Sequence, residues 1–481
     1  MNSPVRERFA MQVLVLESST SAAKALVYDD RKGVLAIESE NYSPEIDAGG
    51  VHDAHQVFLA TMRVGKKAAA GCDIAAIATG GVWHSVMALD RNMRPASQTY
   101  LWNFTGADAV AREVRGRVEE AREIYRNTGC MPNATYQPYG LLYMQRNGLD
   151  CADKLFASQG GYNYFQLTGE HVETRNIVSG MGFLNTHTLQ YDEGILRLCG
   201  IAERQLGRLV DYRETHPLSA AGAQLLGIGA GIPVVPPHSD GALNQLGNGA
   251  MNPGRMTFSV GTSAAIRLST GKPVLSDPPA TWCYVGVEGW LSGAATNGAC
   301  NCVNWFKTTL LKDKWNWDEL ESELLDGNDS PVFLPFMFGE RCPGWEDTRR
   351  GGFQDLNGTD SIPSLFRGMS EGILFNLYQC YRILTKLSGI PDRIILSGGI
   401  LNSKKWTQMA ADIFQRDLLV SDNAQASMLG GAALALHAAG ELKDLHAFGD
   451  ARLETIAHRA ATAATYRRKF ERYLSWYDRT V

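Results

Sequence analysis

Residues 20–26 read Thr-Ser-Ala-Ala-Lys-Ala-Leu, and residues 262–268 read Thr-Ser-Ala-Ala-Ile-Arg-Leu. The two segments agree at five of seven positions and lie 242 residues apart, about half the chain. Each follows a short apolar run, at Gln12 to Leu16 and at Met256 to Val260, which predicts a strand, a turn and a second strand in both places. The repetition predicts two similar domains, each of which presents a hydroxyl-bearing turn to a common cleft.

The rest of the chain alternates short apolar runs with segments of helical spacing, which indicates the α/β class. One exposed helix is predicted over residues 107–127. The run Pro233-Val234-Val235 predicts a strand that the following prolines, Pro236 and Pro237, bring to an end. We expect the domain boundary at this break, with an N-terminal domain over residues 1–236 and a C-terminal domain over residues 237–481.

The composition is that of an ordinary globular protein, with 481 residues, 44% hydrophobic and 20% charged. A net charge of −5 disfavours nucleic acid as the main partner, because proteins that bind the phosphate backbone usually carry a strongly basic face. The nine cysteines are scattered without a Cys-x-x-Cys pair, which favours a reducing cytoplasm over a disulfide framework or a zinc site. No apolar run reaches the roughly 18 residues of a membrane helix. We therefore expect a cytoplasmic protein with neither a nucleic-acid nor a membrane partner.

The familiar phosphate-binding motifs are absent from the sequence. It contains no Gly-x-x-x-x-Gly-Lys-Ser/Thr, and the His-Arg-Asp and Asp-Phe-Gly motifs of protein kinases are missing. The run Gly227-Ile228-Gly229-Ala230-Gly231 ends one residue early for a dinucleotide fingerprint, so a loop is predicted there. The paired turns remain, because backbone N–H groups and hydroxyls in such turns suit phosphate oxygens. For either turn taken alone, a simple tight hairpin is the ordinary alternative.

The order of further motifs along nearly the whole chain resembles that of FGGY-type carbohydrate kinases. The matching segments are Leu16-Glu17-Ser18-Ser19-Thr20 through Lys24, Ser239-Asp240-Gly241, Gly261-Thr262-Ser263, Gly339-Glu340-Arg341-Cys342-Pro343-Gly344-Trp345 and Ser397-Gly398-Gly399. Within the family the chain is most similar to the gluconokinase-like branch, through Trp83-His84-Ser85, Leu167-Thr168-Gly169-Glu170 and the run from Glu371 to Tyr378. The resemblance implies two actin-like domains of the ribonuclease-H type, with ATP and a sugar or polyol meeting in the cleft between them.

The resemblance also implies roles for individual residues. Asp240 matches the catalytic aspartate, which accepts the proton of the attacking sugar hydroxyl, although Asp-Gly is also a common turn. Asp240 and Glu17 are expected to hold Mg²⁺. The residues that match the family's ATP contacts are Ser19, Thr20, Lys24, Gly261, Thr262, Ser263, Gly398, Gly399 and Ser403; those that match its sugar pocket are Trp83, His84, Ser85, Trp102 and Asp240. The expected partners are ATP, Mg²⁺, a small sugar or sugar acid, and a second copy of the chain in a homodimer.

The chain departs from the family's pattern in four features. Glu17 stands where the family has Asp, and Ser19 replaces a glycine beside the phosphates. The family's Trp-x-Asp-x-Arg is here Trp102-Asn103-Phe104-Thr105-Gly106, and Gly140 replaces a lysine. The loss of the Asp and the Arg weakens the claim of gluconate itself as the substrate. Two alternatives to a sugar kinase stay open: a sugar-binding protein with little or no catalysis, and an actin- or chaperone-like ATPase that needs no sugar.

Overall fold

The computed structural model describes residues 10–326, 328–421, 425–449 and 453–479. The strands, in chain order, are β1 (Gln12–Ser18), β2 (Ala22–Asp29), β3 (Gly33–Asn41), β4 (Val51–His52), β5 (Ile74–Gly81), β6 (Ser85–Leu89), β7 (Thr99–Leu101), β8 (Leu155–Ala157), β9 (Val172–Thr174), β10 (Arg208–Val210), β11 (His216–Pro217), β12 (Pro233–Ser239), β13 (Arg255–Val260), β14 (Ala264–Thr270), β15 (Trp282–Val285), β16 (Trp290–Thr296), β17 (Val332–Leu334), β18 (Gly352–Gln354), β19 (Arg393–Ser397), β20 (Leu418–Ser421) and β21 (Leu453–Ile456). The helices are α1 (Ala54–Ala68), α2 (Asp108–Gly116), α3 (Val118–Thr128), α4 (Gln137–Arg146), α5 (Gln159–Thr168), α6 (Arg175–Met181), α7 (Glu193–Cys199), α8 (Ala220–Leu226), α9 (Asp240–Gly247), α10 (Cys300–Trp305), α11 (Trp317–Leu320), α12 (Ile362–Ser388), α13 (Lys404–Phe414), α14 (Ala426–Ala438) and α15 (Ala463–Arg479).

The chain folds into two compact units that interleave along the sequence. The first unit contains the chain up to Met251 together with Tyr284–Glu288 and Gln425–Asp450. The second contains Asn252–Cys283, Gly289–Ala424 and Ala451–Val481. The division into residues 1–236 and 237–481 stays a prediction of the boundary between sequence domains. Each unit combines a sheet with helices, so the α/β class predicted from the sequence is confirmed.

The first unit is built on a sheet with the strand order β11-β12-β5-β1-β2-β3. Strands β1, β2 and β3 form an antiparallel meander, whereas β1, β5 and β12 run parallel. Side chains of β1 alternate between two buried clusters: Leu14 and Leu16 pack with α1, and Val13 and Val15 pack with α9 and α14. Because both faces of this strand are covered, it appears in the sequence as a continuous apolar run.

Helices α9 and α14 approach each other closely at glycines. A Cβ on Gly247 would lie 1.9 Å from the carbonyl oxygen of Ala426, and one on Gly430 would lie 2.0 Å from that of Leu243. We expect Gly430→Ala to lower the free energy of unfolding by about 1–3 kcal/mol, because the methyl group must push two helix backbones apart. Urea unfolding measures this, with Gly116→Ala as the control, since a Cβ on Gly116 meets nothing within 4 Å. A Gly430→Ala protein as stable as the control would contradict the close packing.

The second unit is built on a sheet with the strand order β15-β16-β14-β13-β19-β20-β21. Strand β13 pairs antiparallel with β14 and parallel with β19, which in turn pairs parallel with β20. This repeats the arrangement of β1 with β2, β5 and β12 in the first unit. The strand, turn and strand predicted from residues 20–26 and 262–268 are therefore present in both units.

Two local predictions are wrong. Residues 107–127 form two helices, α2 and α3, because the chain departs from helical geometry at Arg117, where ψ is 76°, directly after Gly116. The strand that begins at Pro233 does not end at Pro236, since β12 continues through both prolines to Ser239. Proline is tolerated in a strand where its missing N–H faces an unpaired edge, and β11 pairs with β12 only at Pro233 and Val234.

Helix α12 spans 27 residues. None of the helices in the described ranges combines the length and the hydropathy that crossing a bilayer requires.

Candidate active site

The loops that follow β1, β5 and β12 meet at one edge of the first unit's sheet. The register pairs Ser18 of β1 with Gly81 of β5, and Gly81 with Ser239 of β12. Because these strands run parallel, their carboxyl ends lie side by side, and open α/β sheets bind their ligands at such an edge. The structure thus brings together, after those strand ends, the predicted residues Ser19, Thr20, Trp83, His84 and Asp240.

Ser19 holds the turn between β1 and β2. Its N–H and its hydroxyl both donate to the carbonyl oxygen of Ala22, at 3.0 and 2.8 Å. Ser19 has no positive φ, so a serine in place of the family's glycine imposes no left-handed strain. The hydroxyl of Thr20 accepts a hydrogen bond from Trp102 Nε1 at 3.1 Å. A residue predicted to contact ATP is therefore in contact with one predicted to contact the sugar.

The carboxylate of Glu17 is buried, with 2% of the residue exposed, and has two partners. Lys24 stands opposite on β2, with its Nζ 3.3 Å from Oε1, and Ser427 Oγ donates to Oε2 at 2.6 Å. The Lys24 charge compensates the buried carboxylate, which would otherwise be costly to hold away from water. The longer side chain of glutamate, compared with the family's aspartate, thus ends against the start of α14.

Asp240 is the first residue of α9 and is half-buried. The cap of this helix comes from Ser239, whose hydroxyl accepts from the N–H of Ala242 at 3.1 Å. The preceding residue, His238, is buried and its Nδ1 lies 2.9 Å from the carbonyl oxygen of Pro236. Burial lowers the pKa of His238 to about 4, so this imidazole is neutral at physiological pH. His238 is 1% exposed whereas Asp240 is half-buried, so Asp240 is the more accessible of the two side chains at the end of β12.

Glu17 and Asp240 fit Mg²⁺ as partial ligands. They lie at the ends of β1 and β12, which are two strand positions apart with β5 between them. In the part of the chain that the structure describes, no three His, Cys, Asp or Glu side chains group into a metal site. Mg²⁺ commonly binds proteins through one or two carboxylates and keeps waters and substrate phosphates as its other ligands, and this donor set suits that mode.

Trp83 and His84 belong to a buried aromatic cluster with Tyr136 and Tyr284. The ring centroids of Trp83 and Tyr284 are 4.8 Å apart, and those of His84 and Tyr136 are 5.7 Å apart. The hydroxyls of Tyr136 and Tyr284 lie 2.8 Å from each other. The Nδ1 of His84 faces the carbonyl oxygen of Gly180, which only accepts, so this nitrogen carries the hydrogen. Tyr136 and Tyr284 are 0% and 1% exposed, so they support Trp83 and His84, which are 5% and 8% exposed.

Asn176 of α6 connects the parts of this edge. Its Oδ1 accepts from the N–H of Ser239 at 2.8 Å, and its Nδ2 donates to the carbonyl oxygen of Val285 at 2.7 Å. Its own carbonyl oxygen accepts from Trp83 Nε1 at 2.7 Å. Asn176, Tyr136 and Tyr284 were not predicted from the sequence, because they come from separate segments that no motif or spacing relates.

The segment after Trp102 is filled by aromatic packing. The ring of Phe104 lies 4.8 Å from that of Tyr100 and 5.0 Å from that of Tyr143. A Cβ on Gly106 would lie 2.2 Å from the Phe104 ring. The two departures from the family's Trp-x-Asp-x-Arg are therefore coupled, since the ring at position 104 takes the space beside position 106.

Ser85 and Ser403 are engaged within their own units. Ser85 is fully buried, and its hydroxyl accepts from the N–H of Gln159 at 3.0 Å. Ser403 is the cap of α13 and accepts from the N–H of Trp406 at 3.0 Å. Each hydroxyl thus has a hydrogen bond that stabilises its own unit, and the roles of Ser85 and Ser403 toward ligands stay predictions.

The second unit has a comparable edge at the turn between β13 and β14. The N–H of Gly261 donates to the carbonyl oxygen of Ser263 at 2.9 Å. Gly398 follows the parallel strand β19 with a φ of +97°, and a Cβ there would lie 2.5 Å from the carbonyl oxygen of Val260. Only glycine combines this φ with so close an approach. The structure brings together at this edge the predicted residues Gly261, Thr262, Ser263, Gly398 and Gly399.

Glu173 of β9 is a buried carboxylate close to the first edge. It accepts from the N–H and the hydroxyl of Ser158 at 2.7 and 3.0 Å, and burial raises its pKa to about 7. Because this value lies above that of the unfolded chain, ionisation favours the unfolded state as the pH rises from about 4.5 to 7. Glutamine at this position does not ionise. We therefore expect the unfolding free energy of Glu173→Gln, measured relative to wild type, to be about 2 kcal/mol more favourable at pH 8 than at pH 5.

Denaturant unfolding at both pH values measures this difference, with the exposed Glu170→Gln as the control. An equal difference between wild type and Glu173→Gln at the two pH values would contradict the raised pKa.

Comparison with known proteins relates this architecture to one family. Two family models match the chain, and both are described as "FGGY family of carbohydrate kinases". The model of the N-terminal domain matches residues 12–247, and that of the C-terminal domain matches residues 256–439. The chain is 27% identical to the gluconokinase of Bacillus subtilis (strain 168) over 470 residues, which cover 93% of this chain and 91% of that protein. It is 26% identical to the xylulose kinase of Escherichia coli (strain K12), over 89% of this chain and 90% of that protein.

Among solved structures, the gluconate kinase from Lactobacillus acidophilus matches with a TM-score of 0.92 and 26% identity, covering 98% of each chain. The actin-like fold implied by the sequence motifs is thereby confirmed. With both domains matched across most of its length, the chain belongs to the FGGY family of carbohydrate kinases.

Proposed function

We propose that the chain transfers the γ-phosphoryl group of ATP to a hydroxyl of a sugar, a gluconate-like sugar acid or a polyol, with Asp240 as the general base. One observation carries the proposal. The carboxyl ends of three parallel strands align a hydroxyl-bearing turn, an aromatic wall and the Asp240 carboxylate at one edge of a sheet. Phosphoryl transfer needs these three elements together: a phosphate contact, a substrate surface and a proton acceptor.

Asp240 accepts the proton of the attacking hydroxyl, which makes an otherwise weak alcohol a better nucleophile. In the turn that Ser19 holds, the hydroxyl of Thr20 donates to a phosphate oxygen. Lys24 adds a positive charge beside this turn, where it is 34% exposed. In the second unit, the turn Gly261–Ser263 and the loop at Gly398 and Gly399 contact the nucleotide, and Ser403 lies near the adenine. When bound, Mg²⁺ neutralises phosphate charge, and Glu17 and Asp240 hold it or its waters.

The aromatic cluster defines the class of acceptor. The rings of Trp83 and Trp102 pack against the C–H faces of a sugar, while His84 hydrogen-bonds its hydroxyl groups. Trp102, through its bond to Thr20, sets the distance between sugar and phosphate. The named relatives act on gluconate and xylulose, and both ligands present the run of hydroxyls that such a surface binds.

The proposal is tested by an ADP-coupled assay over a panel of sugar acids, ketoses and polyols with Mg·ATP. We expect ADP release that depends on one class of carbohydrate. ADP release at the same rate without carbohydrate would make the protein an ATPase. Calorimetric binding of a carbohydrate without turnover of any would make it a sugar-binding member of the family. Either result would overturn the proposed transfer.

A further inference from the structure

The end of β12 lacks a strand partner on one of its two edges. Strand β5 pairs with β12 as far as Ser239, whereas β11 on the other side pairs only with Pro233 and Val234. Beyond Val234, no other strand in the described part of the chain pairs with this outer edge. The edge matters because Ser239 is followed directly by Asp240. A free strand end next to a catalytic group would leave the position of that group loosely determined.

Two side chains at the start of α6 bond to this outer edge instead of a strand. The hydroxyl of Thr174 donates to the carbonyl oxygen of Pro237 at 2.5 Å, and Asn176 Oδ1 accepts from the N–H of Ser239 at 2.8 Å. A carbonyl group and the N–H two residues later point to the same side of a strand, so these are the groups that a neighbouring strand would have bonded. Thr174 and Asn176 are 1% and 2% exposed, so water does not compete for either contact.

Asn176 supports β12 through its side chain and holds Trp83 through its main chain. The side chain also bonds the carbonyl oxygen of Val285, which holds the amide in the orientation that presents Oδ1 to Ser239. The bond from Trp83 goes to the main-chain carbonyl of Asn176 instead. A substitution of the side chain therefore removes the support of β12 while it keeps the anchor of Trp83 in the aromatic wall.

We propose that Thr174 and Asn176 form a clamp, acting as positioning residues that fix the end of β12 and with it the carboxylate of Asp240. This inference rests on the proposed function, because it assigns the clamp to the proton-accepting residue. Loss of either contact leaves the N–H of Ser239 or the carbonyl of Pro237 without its partner, so the strand end shifts. Misplacement by about 1 Å costs a reaction of this kind on the order of 100-fold in rate.

The kinetic test compares Asn176→Ala and Thr174→Val with three references: wild type, Thr174→Ser and Asn185→Ala. Thr174→Ser keeps the hydroxyl, and Asn185→Ala removes a polar contact of the same unit outside the clamp, the bond from Asn185 Nδ2 to Asp192. We expect kcat to fall about 10- to 100-fold in Asn176→Ala and Thr174→Val, with the KM for the carbohydrate within about threefold of wild type. We expect Thr174→Ser to restore kcat and Asn185→Ala to retain it.

A second measurement, hydrogen exchange of the backbone amides over residues 238–243, does not depend on turnover. We expect the amide of Ser239 to lose protection in Asn176→Ala but not in Asn185→Ala. Unchanged protection at Ser239, or a kcat of Asn176→Ala within about threefold of wild type, would overturn the clamp. Should wild type turn over no carbohydrate, the proposed function fails, and the exchange at Ser239 alone decides whether the clamp exists.

Discussion

Replacing Asp240 by asparagine is expected to lower kcat by about 10³-fold while carbohydrate binding changes little. The substitution is nearly isosteric and removes the proposed proton acceptor. Asp240 Oδ1 accepts from the N–H of Gly241 at 2.6 Å, and an asparagine oxygen can accept the same bond. The cap of α9 comes from Ser239 and is left in place. The loss is therefore expected in kcat, with little change in the KM for the carbohydrate or in Tm.

Steady-state kinetics at saturating ATP, combined with calorimetry of carbohydrate binding, measure this effect. Asp211→Asn is the matched control, because it removes an exposed carboxylate from the same unit. We expect the control to stay within about twofold of wild type. An Asp240→Asn enzyme that keeps more than about a tenth of the wild-type kcat would show that another group accepts the proton.

Replacing Glu340 by glutamine is expected to have the largest effect on stability, about 3–5 kcal/mol of unfolding free energy. Glu340 is buried in the second unit, and its carboxylate accepts from Arg349 Nη1 at 2.8 Å and from the hydroxyl of Tyr477 at 2.7 Å. Burial raises the pKa of Glu340, and the bonds from Arg349 oppose that rise. Neutralising the carboxylate removes the negative charge that Glu340 places against the buried Arg349 guanidinium. The motif Gly339-Glu340-Arg341 thus anchors its loop to α15 through Tyr477.

Denaturant unfolding measures the change, and Glu193→Gln provides the comparison. Glu193 pairs with Arg197 at the surface, where both side chains are mostly exposed, so the comparison variant is expected to lose less than about 1 kcal/mol. Adding Arg349→Met to Glu340→Gln also removes the buried positive charge, and we expect it to recover part of the loss. A Glu340→Gln protein that unfolds with the stability of Glu193→Gln would contradict the buried ion pair.

The strands that frame both edges could be predicted from the sequence because their signals are local. The run from Val13 to Leu16 is apolar throughout, since both faces of β1 are covered, and a short polar turn follows it. At Met256 to Val260, alternating apolar and polar residues before a similar turn predicted β13. The prediction of a single helix over residues 107–127 was wrong. The helical spacing of the sequence continues across Arg117, and the break there is visible only in the backbone angle.

The contacts that connect the candidate site could not be predicted in the same way. Asn176, Tyr136 and Tyr284 are far apart in the chain, and each is an ordinary residue in its own segment. The end predicted for β12 at Pro236 was wrong for a related reason. Proline interrupts a strand only where a neighbouring strand would bond to its N–H. Here the side chains of Thr174 and Asn176, at the start of α6, bond the outer edge of β12 instead. Whether a neighbour is present is a property of the fold, which no short sequence pattern contains.

The most direct test counts both products of one reaction. ADP is measured enzymatically, and phosphorus NMR of the same sample follows new phosphomonoesters and inorganic phosphate, using the best carbohydrate of the panel. We expect one phosphomonoester of the carbohydrate for each ADP, and no ADP when the carbohydrate is omitted. The opposite result is inorganic phosphate in place of the phosphomonoester, formed at the same rate with and without carbohydrate. That result would contradict phosphoryl transfer to a sugar.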